Sequence, residues 1–191
     1  MRVIAGSCGG RRLVAPSGET TRPTTDRVRE ALFSILNGHG VLEGARVLDL
    51  YAGTGALGIE ALSRGAAAAT FVESSRPALV ALRENVRSLG LEDQVEIVAA
   101  PADRWLRSLR PEAPPYTLVL ADPPWADVAR AQEVLAALVK KGHLAPDALV
   151  VLEHASRDVA MAVAGLERVD ARAWGDTAVW LGSPPAGSPP G

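Results

Sequence analysis

Asp49 closes an apolar run, Val47-Leu48-Asp49-Leu50, and opens the turn Tyr51-Ala52-Gly53-Thr54-Gly55-Ala56-Leu57-Gly58. That order reads as a strand, a tight loop and a helix N-terminus, an arrangement that seats nucleotide-like ligands. Taken literally, Gly53-x-Gly55-x-x-Gly58 is also the dinucleotide fingerprint, so the turn by itself leaves an NAD-dependent oxidoreductase open. Three further acids follow at or just after the ends of later strand-like runs: Glu73, Asp103 and Asp122. In a parallel sheet the carboxyl ends of the strands share one crevice. Four acids around that crevice suit a ligand with positive charge, ribose hydroxyls and amino groups, and they suit a pyrophosphate poorly.

S-adenosylmethionine has that chemistry: a sulfonium, an ammonium, a ribose and an adenine amine, with no phosphate. A second signal concerns the acceptor. In Asp122-Pro123-Pro124-Trp125 the two prolines fix the backbone and remove two donors, leaving carbonyls without strand partners. A carboxylate and a fixed carbonyl can together accept both hydrogens of an exocyclic amine. The nitrogen lone pair is then aimed at a methyl donor, and positioning does most of the catalysis. The adjacent ring gives an extruded base a face to stack on.

These groups need elements to hold them. Helical or strand-like patterns cover most of the chain: a helix from about Thr24 to Asn37-Gly38, strands at Arg46–Leu50, Thr70–Glu73, Val95–Ala99, Tyr116–Ala121 and Ala148–Glu153, and intervening helices at Ala56–Arg64, Pro77–Leu89, Asp103–Leu109 and Val128–Lys141. The first helix has an apolar stripe of Val28, Ala31, Leu32, Ile35 and Leu36. A short helix is expected at about Ser156 to Ala164, then two strands, Glu167–Trp174 and Thr177–Leu181, joined at Gly175-Asp176. Alternating strands and helices predict an α/β fold with a mainly parallel sheet and helices on both faces. The terminal antiparallel hairpin departs from a dinucleotide fold and suits a class I methyltransferase, a Rossmann-like, seven-stranded arrangement.

Composition sets the bounds. Hydrophobic residues make up 48% and charged residues 22%, ordinary for a soluble globular protein. No apolar run reaches membrane-spanning length and the start has no signal-peptide pattern, so a cytoplasmic protein without membrane contact is expected. Cys8 is the single cysteine, which excludes an intrachain disulfide and a cysteine zinc cluster; no metal is expected. The net charge is −2, yet residues 1 to 29 hold six arginines (Arg2, Arg11, Arg12, Arg22, Arg27, Arg29) against Glu19 and Asp26. A local basic face of this kind can bind RNA phosphates on an acidic protein. Arg2–Ala5 and Arg11–Ala15, joined by Gly6-Ser7-Cys8-Gly9-Gly10, read as a β-hairpin or a flexible loop, and a hairpin would carry Arg2, Arg11 and Arg12 close together. The organisation expected is a basic N-terminal hairpin extension (1–21), a methyltransferase domain (22–182) and a disordered Pro/Gly/Ser tail (183–191).

Asp49–Gly58, Asp122–Trp125 and the stretch Arg22-Pro-Thr-Thr-Asp-Arg-Val-Arg-Glu-Ala-Leu-Phe33 together resemble the RsmD family, bacterial methyltransferases of the guanine N2 amine in 16S ribosomal RNA. The likeness runs from Arg2 to Leu181, and the Arg22–Phe33 stretch is its specific part. It implies that Asp49, Gly53, Gly55, Glu73 and Asp103, with Tyr51, Ala52, Leu57 and Ala102, hold S-adenosylmethionine, and that Asp122, Pro123, Pro124 and Trp125 hold the guanine. It also implies 16S rRNA in the small subunit or its assembly intermediate as partner, S-adenosylhomocysteine as product, and a monomer. Where the family usually has Phe or Tyr, this chain has Trp125. Three other readings remain open: a DNA adenine-N6 methyltransferase, which uses the same Asp-Pro-Pro-aromatic signal, the NAD-dependent oxidoreductase, and a non-catalytic RNA-binding module using only the basic hairpin.

Overall fold

The computed structural model describes residues 1–16, 26–158 and 161–186. Helix α1 (Asp26–Gly38) leads into strand β1 (Arg46–Leu50), helix α2 (Ala56–Ser63), β2 (Ala68–Glu73), α3 (Arg76–Leu89), β3 (Val95–Ala99), α4 (Ala102–Ser108) and β4 (Tyr116–Ala121). Helix α5 (Val128–Lys140) and strands β5 (Leu144–Ala155), β6 (Glu167–Trp174) and β7 (Thr177–Ser183) complete the sheet. Its order is β3-β2-β1-β4-β5-β7-β6. The first five strands pair in parallel, and β7 inserts antiparallel between β5 and β6. This is the class I methyltransferase arrangement expected from the sequence.

Alternation along the strands divides the core between two faces. Val47, Leu118, Leu120 and Val151 face α1, α2 and α3, where Leu36, Ile59 and Leu82 are buried. Leu48, Leu50, Val119 and Val150 face α4 and α5, packing against Trp105, Leu135 and Leu138. A fully buried side chain of this size contributes about 1.5–3 kcal/mol, so both faces hold the sheet firmly.

Helix α1 is turned from its expected orientation. Its buried residues are Val28, Arg29, Leu32, Phe33 and Leu36, whereas Ala31 and Ile35 are only half-buried. The cause is Glu60 on α2, a carboxylate with 0% exposure. It accepts from the Ile4 amide (2.7 Å), the Ala5 amide (3.1 Å) and Arg64 Nε (2.7 Å). Arg29 lies with its Nε 4.0 Å from that carboxylate and donates through Nη2 to the Arg2 carbonyl and to Asp26 (3.0 Å). Arg64 in turn lies over the Phe33 ring, 5.1 Å from its centroid.

Three further expectations change. The N-terminal hairpin has one antiparallel bridge, Arg2 with Arg12, in place of two strands. It is fused to the core, since Val3, Cys8 and Leu13 belong to the α1–α3 cluster and Ser7 N donates to the Ser63 carbonyl at 2.7 Å. A Cβ on Gly6 would lie 1.7 Å from that carbonyl oxygen. Only glycine fits there. The helix expected at 156–164 is absent among the described residues of that stretch, where Ser156 and Arg157 form a turn and Gln132 donates to the Ala162 carbonyl at 2.7 Å. Ser183, assigned to the tail, ends β7, and 187–191 lie outside the described residues.

Replacing Glu60 by alanine leaves Arg64 Nε and two backbone amides without their acceptor and removes a counter-charge from beside the buried Arg29. Removing one member of such a pair costs about 3–5 kcal/mol. Chemical denaturation of Glu60→Ala should read a loss of that size, and hydrogen exchange should show the Ile4 and Ala5 amides deprotected.

Candidate active site

A cleft of about 1120 Å3 opens across the carboxyl ends of the parallel strands. Its floor is the loop after β1, built from alternating backbone hand: φ is positive at Tyr51 (59°), Gly53 (55°) and Gly55 (81°). Tyr51 is the one non-glycine residue with positive φ among those described. Strain of that kind marks ligand-binding turns more often than plain connections. Gly55 N-caps α2 and does not line the cleft. A Cβ there would lie 2.4 Å from Leu82 Cδ1. Its observed part is to let the helix approach α3.

The loop is closed by carboxylates. Asp49 Oδ2 accepts from the Gly58 amide at 2.8 Å, and Glu73 Oε2 accepts from the Gly53 amide at 2.7 Å. Glu73 Oε1 takes the Ser74 (2.7 Å) and Ser75 (2.6 Å) amides at the start of α3. Two of the three fingerprint glycines therefore have their N–H groups committed to carboxylates, and a pyrophosphate would find them occupied. The NAD reading loses its basis.

Asp49 is the buried acid of the set, 1% exposed, with Oδ1 lacking any partner. Burial pushes its pKa well above the usual carboxylate range; the Gly58 amide opposes this, and the charges of Asp122 and Glu73 add to it. An unsatisfied oxygen at the base of a cleft fits a cationic or amine donor. Asp103 has a different environment. The desolvation that would raise its pKa is outweighed by Arg130 (3.0 Å) and Arg107 (3.1 Å), which hold the carboxyl below its usual value. Its charge is already compensated, so the rim at Asp103 is less acidic than four free carboxylates would make it.

Across the cleft, Asp122 is half-buried, Pro123 buried and Pro124 exposed. Trp125 begins a single 3-10 turn, Trp125–Asp127. The Arg157 guanidinium lies 5.4 Å from the centroid of its ring. Tyr51, Ala52, Leu57 and Ala102 also line the cleft, so the β1 and β3 loops face the Asp122 loop across one space. Glu153, at the end of β5 and 6% exposed, lines it too. The rule that picked out Asp49, Glu73 and Asp122, an acid ending a strand, would have found it. Trp174 and Thr177 reach the cleft from β6 and β7, which no local sequence signal announces.

The arginines separate. Arg2, Arg11, Arg12 and Arg27 are exposed, with Arg11 donating to the Ser88 carbonyl at 2.6 Å. Arg29 is 1% exposed and bound to Arg2 and Asp26; Glu60 draws it inward, so it is not part of a surface array. Arg22 lies outside the described residues.

The raised pKa of Asp49 has a stability consequence with a definite sign. A carboxyl with a raised folded pKa contributes most below its unfolded value, about 3.9, and that contribution is lost as pH rises through the folded value. Thermal denaturation across this range should show Asp49→Asn gaining on the parent protein as pH increases. A constant difference at all pH values would contradict it.

Among known proteins, the family described as conserved hypothetical protein 95 matches residues 1–183. Ribosomal RNA small subunit methyltransferase D of Escherichia coli K12 is 39% identical over 153 residues, 80% of this chain and 74% of that one. The Haemophilus influenzae protein of the same name is 34% identical over 154 residues, 80% of this chain and 78% of its own length. The solved yhhF structure from Escherichia coli superposes with a TM-score of 0.83 at 34% identity, covering 97% of this chain and 98% of that one. With this match across nearly its whole length, the sheet order and the Asp122–Trp125 loop in place, the chain belongs to the RsmD family of methyltransferases.

Proposed function

We propose that this protein methylates the exocyclic N2 amine of a guanine in 16S ribosomal RNA, with S-adenosylmethionine as donor. The observation that carries the reading is the placement of two groups on one cleft: the unpartnered Asp49 oxygen at the glycine loop, and Asp122-Pro123-Pro124-Trp125 on the facing loop. The names of the Escherichia coli and Haemophilus influenzae relatives, both small-subunit rRNA methyltransferases, support the substrate.

The residues present fit the donor. Asp49 would meet its ammonium, Glu73 its ribose hydroxyls, and Ala102 with Asp103 its adenine, while Gly53 leaves the approach along the loop clear. When bound, S-adenosylmethionine supplies an electrophilic methyl on a sulfonium, and its transfer breaks the S–C bond as the N–C bond forms, leaving S-adenosylhomocysteine. Asp122 and a carbonyl of the proline pair would accept the two amine hydrogens and aim the nitrogen lone pair. Trp125 would stack on the guanine, worth ~1–3 kcal/mol per base in comparable sites. Asp122 would then take the proton that leaves nitrogen. Arg2, Arg11, Arg12 and Arg27 would hold the flanking phosphates.

Asp122→Ala should bind S-adenosylmethionine as tightly as the parent protein and lose methyl transfer by about 10²-fold or more. The assay uses labelled donor and small ribosomal subunits from cells lacking the enzyme, followed by mapping of the modified nucleotide; undiminished transfer would overturn the assignment of Asp122.

Replacing Arg11 and Arg12 by glutamine should weaken RNA binding. It should also flatten the salt dependence of log affinity by about 0.7–0.9 for each phosphate no longer neutralised, with donor affinity unchanged. An identical slope would remove the hairpin from the RNA interface.

A further inference from the structure

Helix α3 holds two segments at the cleft at once, and Asn85 is where it does so. Asn85 is fully buried, at 0% exposure, among apolar neighbours of α3. Its Oδ1 accepts from the Val14 amide at 2.7 Å. Its Nδ2 donates to the Val14 carbonyl at 3.1 Å and to the Thr54 carbonyl at 3.0 Å. One side chain thus satisfies both backbone groups of a residue 71 positions away and one carbonyl 31 positions away.

The two segments it joins are the donor loop and the end of the N-terminal hairpin. Thr54 lies between Gly53, whose amide is held by Glu73, and Gly55, the cap of α2. Val14 is followed by Ala15 and Pro16, which line the cleft, and it leaves the hairpin that carries exposed Arg11 and Arg12. Arg11 itself rests on the Ser88 carbonyl, one turn beyond Asn85 on the same helix. A carboxamide can serve both segments because it offers two donors and an acceptor in one plane, and inside a protein the loss of any of these bonds leaves a costly orphan.

We propose that Asn85 is a positioning residue that locks the end of the N-terminal hairpin at Val14, which leads into cleft-lining Ala15 and Pro16, to the donor loop at Thr54, so that ordering either segment orders the other. The inference rests on the donor-binding reading given above. Coupling between ligand sites typically changes an affinity by about 5- to 150-fold, and a shared buried side chain is a direct route for it.

Hydrogen exchange on the full chain, with and without S-adenosylmethionine, tests this. In the parent protein the ligand should slow exchange at the Gly53 amide and, through Asn85, at the Val14 amide by about fivefold or more. Asn85→Ala should keep the slowing at Gly53 and lose it at Val14. Val86→Ala, a buried apolar truncation on the same helix, should keep both and so separates positioning from general destabilisation. Should the alanine variant fail to fold, Asn85→Ser, whose hydroxyl cannot span both segments, carries the same expectation. Slowing at Val14 that persists without the carboxamide, or is lost equally in Val86→Ala, overturns the proposal. Slowing at Gly53 with none at Val14 in the parent protein overturns it as well. No slowing at either amide overturns the donor-binding reading and removes the premise of this one.

Discussion

A carboxylate sealed beneath a glycine turn is the constraint on which the rest of this site depends. Asp49 is the next-to-last residue of β1 and binds the Gly58 amide on α2, which sets how closely the helix approaches the strand. Gly58 has no side chain because a Cβ would sit 2.4 Å from the Phe71 ring and 3.0 Å from Asp49 Oδ2. The same contact leaves one carboxylate oxygen without a partner, a cost in the free protein that a ligand donor can offset. Glu73 does the corresponding work from β2, holding Gly53 and the start of α3. The glycine signature is thus neutral about its ligand. Selectivity resides in which of its amides the neighbouring acids have already taken.

Much of the scaffold was legible because its signals are local. Strands β1, β3, β4 and β6 run where apolar alternation and turn residues place them, and α3 begins with Pro77 in its first turn and ends before Gly90, whose φ is 69°. Proline and glycine at those positions act through their own backbones. The acid at each strand end was equally readable, since the topology brings those ends together whatever surrounds them.

What could not be read depends on partners distant in sequence. Arg29 looks like one more surface arginine until Glu60 is found buried beside it, and the helical period then turns by one residue to bury both Arg29 and Phe33. Asp103 looks like a free acid until α4 and α5 pack and deliver Arg107 and Arg130 to it. The residues after β5 contain good helix formers, Ala and Met, but Val163 is their deeply buried side chain and Gly165 turns the chain at φ 83°. Helix propensity alone forms no helix among the described residues of that stretch. The left-handed Tyr51 gives no sign of itself in composition, because the conformation is imposed by the loop on either side.

Helix α2 is only eight residues long, yet its first turn carries the glycine loop and its last residues, with Glu60 and Ser63, carry the hairpin. A short rigid strut shared in this way makes the two ends genetically interdependent. A displacement of the hairpin is transmitted to the loop through a body too short to bend, so changes that move the hairpin call for compensating ones near Asp49 and Gly58. Residues far apart in the chain are then coupled through α2, whereas the loop after β4 does not share the strut.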